Sequence, residues 1–156
     1  MLSDKEKIEI EAKIADSHDP RAASVEVMKI IQSHRGYISD EALQDLADIL
    51  RMSPEELDGV ATFCSLIFRQ PVGRHVLKVC DSVSCWIMGS ESVMQYLEKK
   101  LSIKAGETTS DGRITLLPIC CLGDCDHAPA MMVDDKQVGN LTAELLDKIL
   151  ESPELA

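Results

Sequence analysis

Apolar side chains recur at helical spacing through the first 70 positions and at the shorter spacing of strands after them. Ser3 and Glu6 stand three apart, the separation of a reciprocal cap in which each side chain accepts from the other's backbone N–H. They predict a polar helix ending near Asp16. Asp19-Pro20 pairs a capping carboxylate with a proline, which has no N–H to lose in a first helical turn. The segment that follows places Ala23, Val27, Ile30 and Ile31 on one face, and Gly36 can take the left-handed conformation that ends it. Ser39 caps a third helix with Leu43, Leu46, Ala47 and Leu50 inward. Ser53-Pro54-Glu55-Glu56 joins cap, proline and returning glutamate and starts a fourth. Leu57, Val60 and Ala61 form its apolar face, and Phe63, Leu66, Ile67 and Phe68 are expected to continue the buried surface. Residues 1–70 therefore predict a helical bundle with no chemistry of its own.

Pro71-Val72-Gly73 interrupts this pattern and divides the bundle from a second unit over residues 71–156. His75 to Val79 reads as a strand. Gly89-Ser90 opens a helix with Val93, Leu97 and Leu101 on one side. A polar connection from Ser102 to Gly112 leads to a second strand, Ile114 to Leu117, so the two strands are expected to be parallel neighbours joined by a right-handed crossover. Ala130 to Val133 is a third strand, which Asp134-Asp135-Lys136 turns into a short fourth around Val138. Thr142 caps a last helix that buries Leu145, Leu146, Ile149 and Leu150. The fold class is α/β, a helical bundle followed by a unit of order β-α-β-β-β-α.

Charge narrows the partners. Asp and Glu number 27 against 16 Lys and Arg, giving a formal net charge of −11, and aromatic residues are 3% of the chain. Binding to a phosphate backbone depends on Lys and Arg displacing counterions, so nucleic acid is excluded as a ligand. No apolar run approaches the roughly 18–20 residues of a membrane span, and Met1 to Glu11 has no apolar core of a secretory leader. A cytoplasmic protein without direct membrane insertion is expected. In that compartment six cysteines favour metal or redox chemistry over a disulfide framework.

Four of those cysteines form two spaced pairs. Cys80 and Cys85 enclose a C-x4-C loop, Cys121 and Cys125 a C-x3-C loop, and each pair follows an apolar strand. Two neighbouring strands that end in cysteine loops bring four thiolates to one sheet edge, which suits a [2Fe–2S] cluster or a structural zinc. The spacing alone leaves both open. A thioredoxin-type dithiol would need C-x-x-C, and a Rieske centre a second histidine motif beside His127; neither is present. Cys120 and its neighbour Cys121 point to opposite faces of an extended segment. Cys121, beside the compact Gly123 turn, is the expected ligand, and Cys120 a buried thiol. Cys64 is expected in the helical core, and nothing in the sequence orients it with His75 as a nucleophile and base. Gly123 and Gly89 offer the closest backbone approach to the sulfurs. Asp81, Asp124 and Asp126 add negative charge there, so a low reduction potential is expected.

The run Gly59-Val60-Ala61-Thr62-Phe63, then Phe68-Arg69-Gln70-Pro71-Val72-Gly73 and the Cys80–Cys85 loop, resembles the NuoE family, the small thioredoxin-like iron–sulfur subunit of respiratory complex I. The likeness continues through Asp111-Gly112-Arg113-Ile114-Thr115-Leu116, the Cys121–Cys125 loop and Ala128-Pro129, and spans Asp19 to Leu150. It implies a thioredoxin-like [2Fe–2S] domain after the bundle, with one cluster held by Cys80, Cys85, Cys121 and Cys125, the first pair on one iron and the second on the other. It also implies a neighbouring NuoF-type flavoprotein subunit that binds FMN and NADH, a larger NuoG-type iron–sulfur subunit, and a place on the peripheral arm of an inner-membrane complex that reduces quinone. Catalysis would belong to that assembly, and no catalytic residue is expected on this chain. Two positions depart from the family pattern: Cys64 often corresponds to tyrosine and Cys120 to glutamate. The equivalent subunit of an NAD-linked hydrogenase or formate dehydrogenase is the alternative within the class, and a zinc-stabilised interaction module the alternative outside it.

Overall fold

The computed structural model describes residues 1–153 and 155, and its contacts divide the chain into Met1–Pro71 and Val72–Ala156. The first unit contains α1 (Asp4–Ala15), a 3-10 turn (Pro20–Ala23), α2 (Ser24–Arg35), α3 (Asp40–Leu50) and α4 (Pro54–Phe63). Ser3 with Glu6 and Ser53 with Glu56 form the two reciprocal caps, and the Ser39 hydroxyl accepts from the Ala42 N–H. Asp19-Pro20 starts the 3-10 turn, and the α-helix follows from Ser24. Gly36 ends α2 at φ 82°, where a side chain would be strained.

The core of this unit is built from Ile10, Val27, Met28, Ile31, Leu46, Leu50 and Leu57, with Cys64 and Val60 packed against it. One carboxylate is buried among them. Glu6 accepts from Arg35 Nε at 2.6 Å and from Nη2 at 2.8 Å, and this pairing holds its pKa at about 2. The expected burial of Phe63 does not occur: its side chain is 91% exposed. Phe63 is the last residue of α4, and six residues after Leu57 it stands about 120° round the helix from it, so the helical register itself turns Phe63 away from the buried face. Ile67 is buried and Leu66 and Phe68 are half-buried.

The second unit holds one four-stranded sheet in the order β2-β1-β3-β4. Strands β1 (His75–Cys80) and β2 (Ile114–Ile119) are parallel, and β3 (Met131–Val133) runs antiparallel to β1 and to β4 (Lys136–Val138). Helix α5 (Val83–Ile87) follows β1, α6 (Ser90–Leu101) crosses to β2, and α7 (Ala143–Leu150) closes the unit. Leu77, Val79, Ile114, Leu116 and Met131 from the sheet meet Val93 and Leu97 of α6 and Leu146 of α7 in one apolar core. Both β1 and β2 run further than the apolar pattern predicts. Pro118 sits at a sheet position beside Val79, consistent with an edge strand that needs no N–H on its open side. Among the described residues no helix is long and apolar enough to cross a membrane.

Candidate metal centre

The parallel register ends with Cys80 opposite Ile119, so β1 delivers the first cysteine beside the point where β2 runs into Cys120 and Cys121. The backbone secures the junction on both sides. Cys80 donates its N–H to Ala130 O at 3.0 Å, and Asp81 donates to Ile119 O at 3.0 Å. The first cysteine segment is not a loop throughout, since Cys85 lies in the short helix α5. A residue in a five-residue helix is aimed by the helix, and Cys85 turns inward at 2% exposure beside Cys80 at 1%. The second pair is accessible: Cys121 and Cys125 are both exposed, with their sulfurs 3.5 Å apart. A 3-10 turn over Cys125–His127 shortens the path back to the sheet, and the Ala128–Pro129 peptide is cis.

Electrostatics tie the two pairs together. Burial pushes the Cys85 thiol up, the Ala130 N–H lowers it, and Cys80 and the more distant Cys125 raise it again. Gly123 at φ 82° directs its N–H to Cys121 Sγ at 3.4 Å. That bond, with the neighbouring Cys125 thiol, brings Cys121 below the ordinary thiol range. Cys125 is pushed up first by Cys121, while Ser84 lowers it and Cys80 raises it. Within the pair Cys121 is therefore the readier thiolate, the form that binds metal. All six cysteines are free of disulfides.

The donor set suits a pair of irons, since the thiols stand as two neighbouring pairs, Cys80 with Cys85 and Cys121 with Cys125. Among the described residues, no three cysteine sulfurs all lie within 4.8 Å of one another, although Asp124, Asp126 and His127 do form such a group. Two close pairs, linked at longer range, are the pattern a binuclear cluster needs.

Three features of the surroundings were not legible in the spacing of the cysteines. The N–H that reaches Cys85 comes from Ala130, a residue with no polar side chain to advertise it. Gly139 packs so closely on the second loop that an added Cβ would stand 2.8 Å from Asp124 Oδ2 and collide with His127 Cβ. Gln137 Nε2 donates to Leu122 O at 3.0 Å. Gly89 takes φ 98° to join α5 to α6 and donates to Trp86 O. Cys120, expected to be buried, is exposed. Ile119 takes the inward place at the end of β2, and the chain leaves the sheet at the next residue. His127 is also exposed, 2.6 Å from Asp124 through Nδ1, and the Asp124 and Asp126 carboxylates raise its pKa.

Comparison with known proteins agrees with this layout. Residues 10–154 match the model of the thioredoxin-like [2Fe-2S] ferredoxin family. The chain is 51% identical over 150 residues to the E subunit of the NADH-quinone oxidoreductase of Escherichia coli K12, covering 96% of this chain and 90% of that one. It is 49% identical over 152 residues to the protein of the same name from Pseudomonas aeruginosa, covering 97% and 92%. Among solved structures, a chain of an NAD+-reducing [NiFe]-hydrogenase superposes with a TM-score of 0.67 at 24% identity, over 80% of this chain and 22% of that one. That last likeness bears on the fold alone.

Proposed function

This chain belongs to the thioredoxin-like [2Fe-2S] ferredoxin family, and from that membership we propose that it is the electron-transfer iron–sulfur subunit of an NADH:quinone oxidoreductase. One observation carries the reading: about half of the residues are identical to the corresponding subunit of two such enzymes, over nearly the whole length of both chains. The hydrogenase alternative has only the shared fold behind it.

Cys80 and Cys85 hold one iron in this proposal, and Cys121 and Cys125 the other. When bound, the cluster supplies a centre that takes up and releases one electron at a time. The polypeptide does the rest. Burial of Cys80 and Cys85 keeps water from one side of the site, while the exposed Cys121 and Cys125 face outward. The Gly123 and Ala130 N–H groups offset thiolate charge at Cys121 and Cys85. Asp81, Asp124 and Asp126 oppose the added electron and lower the potential. A NuoF-type partner subunit that binds FMN and NADH would be the neighbour with which this chain exchanges single electrons. A NuoG-type subunit would be a further partner in the same assembly, in which quinone is reduced elsewhere. The chain works at the cytoplasmic face, on the peripheral arm of an inner-membrane complex.

Anaerobic purification tests the reading. Iron and acid-labile sulfide should be present in equal amounts, with visible absorbance and an EPR signal after dithionite. A colourless protein containing zinc would sink it.

A further inference from the structure

An unusual surface adjoins the cysteines. Val83, Trp86, Ile87 and Met88 are 68%, 61%, 70% and 60% exposed. All four lie in or directly after α5, the helix that turns Cys85 inward. Because Cys85 takes the buried side of so short a helix, its neighbours must face out, yet nothing in that constraint requires them to be apolar. Scattered apolar residues on a surface mean little, but a contiguous group that includes Trp and Met has the composition of an interface core. The ledge continues at Met88 into a groove of about 380 Å³ whose walls include Tyr96, Pro129, Leu141 and Leu146.

Charge says what kind of surface covers it. No Lys or Arg occurs between Lys78 and Lys99, or between Arg113 and Lys136. Those two stretches contain both cysteine pairs together with Asp81, Glu91, Asp124 and Asp126, and a cluster with four thiolates adds further negative charge. An apolar centre with an acidic margin is complementary to an apolar patch ringed by Lys and Arg, and it repels a second copy of itself. We propose that the ledge Val83, Trp86, Ile87 and Met88, with the groove beyond it, is the docking surface for the electron-donating flavoprotein subunit, which meets it with an apolar patch rimmed by basic residues. The proposal rests on the electron-transfer reading above and adds the surface through which that partner is held.

The test uses the full cluster-containing chain and the separately purified flavin- and NADH-binding subunit of the same complex, with affinity measured by calorimetry. Visible absorbance and EPR establish that each variant keeps its cluster. The double substitution Trp86→Ser, Ile87→Ser should weaken binding about ten-fold or more, as loss of a buried aromatic anchor does. Ile87→Glu, a single change at an exposed position that leaves the core untouched, should weaken it in the same direction. Phe63→Ser, which removes an equally exposed side chain from the helical unit, should leave the affinity within about two-fold. Wild-type affinity in Ile87→Glu with its cluster intact overturns the docking surface and leaves the electron-transfer reading standing. A wild-type chain that carries its cluster yet has no affinity for the flavoprotein overturns both. Self-association of the wild type that Trp86→Ser abolishes also overturns the proposal, because the ledge would then belong to a second copy.

Discussion

At the scale of single residues, adjacent cysteines behave as different chemical groups because their backbones differ. Cys121 has the Gly123 N–H on its sulfur and Cys125 at 3.5 Å, whereas Cys120 lies at the end of β2, where the chain leaves the sheet. Cys121→Ser and Cys125→Ser should therefore lose the cluster or alter its EPR spectrum, and Cys120→Ser should retain iron, sulfide and spectrum. A cluster that survives Cys121→Ser but not Cys120→Ser would reverse the assignment. Asp81 gives a second prediction. It follows Cys80 directly and is exposed, so Asp81→Asn removes a negative charge beside the site without opening the core. The midpoint potential should rise by something on the order of tens of millivolts, as expected for a partly screened charge several ångströms away. Redox titration followed by EPR measures it, and an unchanged or lower value would show that Asp81 does not act on the centre.

At the scale of elements, the sequence declares what is periodic or covalently local and hides what is made by approach. Ser53-Pro54 and the Thr142 cap are written in consecutive residues, and both start helices in the structure. Spacing put the cysteines after two strands, and β1 and β2 end where those pairs begin. Helix α5 was hidden because five residues are too few to show a helical period. Phe63 was misplaced because its apolarity was followed rather than its register: six residues after Leu57, it lies off the buried face of α4. Gly139 was silent because its role is a contact with a loop a dozen residues earlier. That contact predicts the result of Gly139→Ala: the new Cβ meets Asp124 and His127, so β4 or the second cysteine loop must shift. The variant should keep the helical unit intact by hydrogen exchange while its cluster content falls or its EPR g-values move. A spectrum identical to the wild type would mean the loop absorbs the methyl group without disturbing the sulfurs.

Helix α1 yields a pH prediction at the same scale. Arg35 and the Ser3 cap hold the folded pKa of Glu6 at about 2, against an ordinary value of 4.5. A depressed carboxyl pKa contributes stability that is fully present above about 4.5 and is lost as pH falls toward 2. The shift corresponds to about 3 kcal/mol as an upper figure. Glu6→Gln should accordingly destabilise α1 at neutral pH, read as faster amide exchange across Asp4–Ala15. Its difference from the wild type should shrink steadily below pH 4.5. A difference that stays constant down to pH 3 would remove the ion pair as its cause.

The whole molecule is acidic, but its charge has a pattern that the total of −11 conceals. Cationic residues are spread along both units, where Arg21, Arg35, Arg69 and Lys100 pair with carboxylates. They are absent from the two stretches that contain the cysteine pairs. A net negative field around those stretches steers a basic partner during approach and contributes less once contact has excluded water, so it belongs to the association rate. The apolar side chains of α5 act in the opposite regime: they attract nothing at a distance and resist separation afterwards. Salt separates the two. The screening length falls from about 30 Å at 0.01 M to about 10 Å at 0.1 M and about 3 Å at 1 M. Association with the flavoprotein subunit should slow by about ten-fold or more across that range, with little change in dissociation rate. Ile87→Ser should show the converse, faster dissociation at every salt concentration and an unaltered slope for association. Stopped-flow mixing with flavin fluorescence gives both constants. An association rate indifferent to salt would mean that the acidic margin plays no part in bringing the two proteins together.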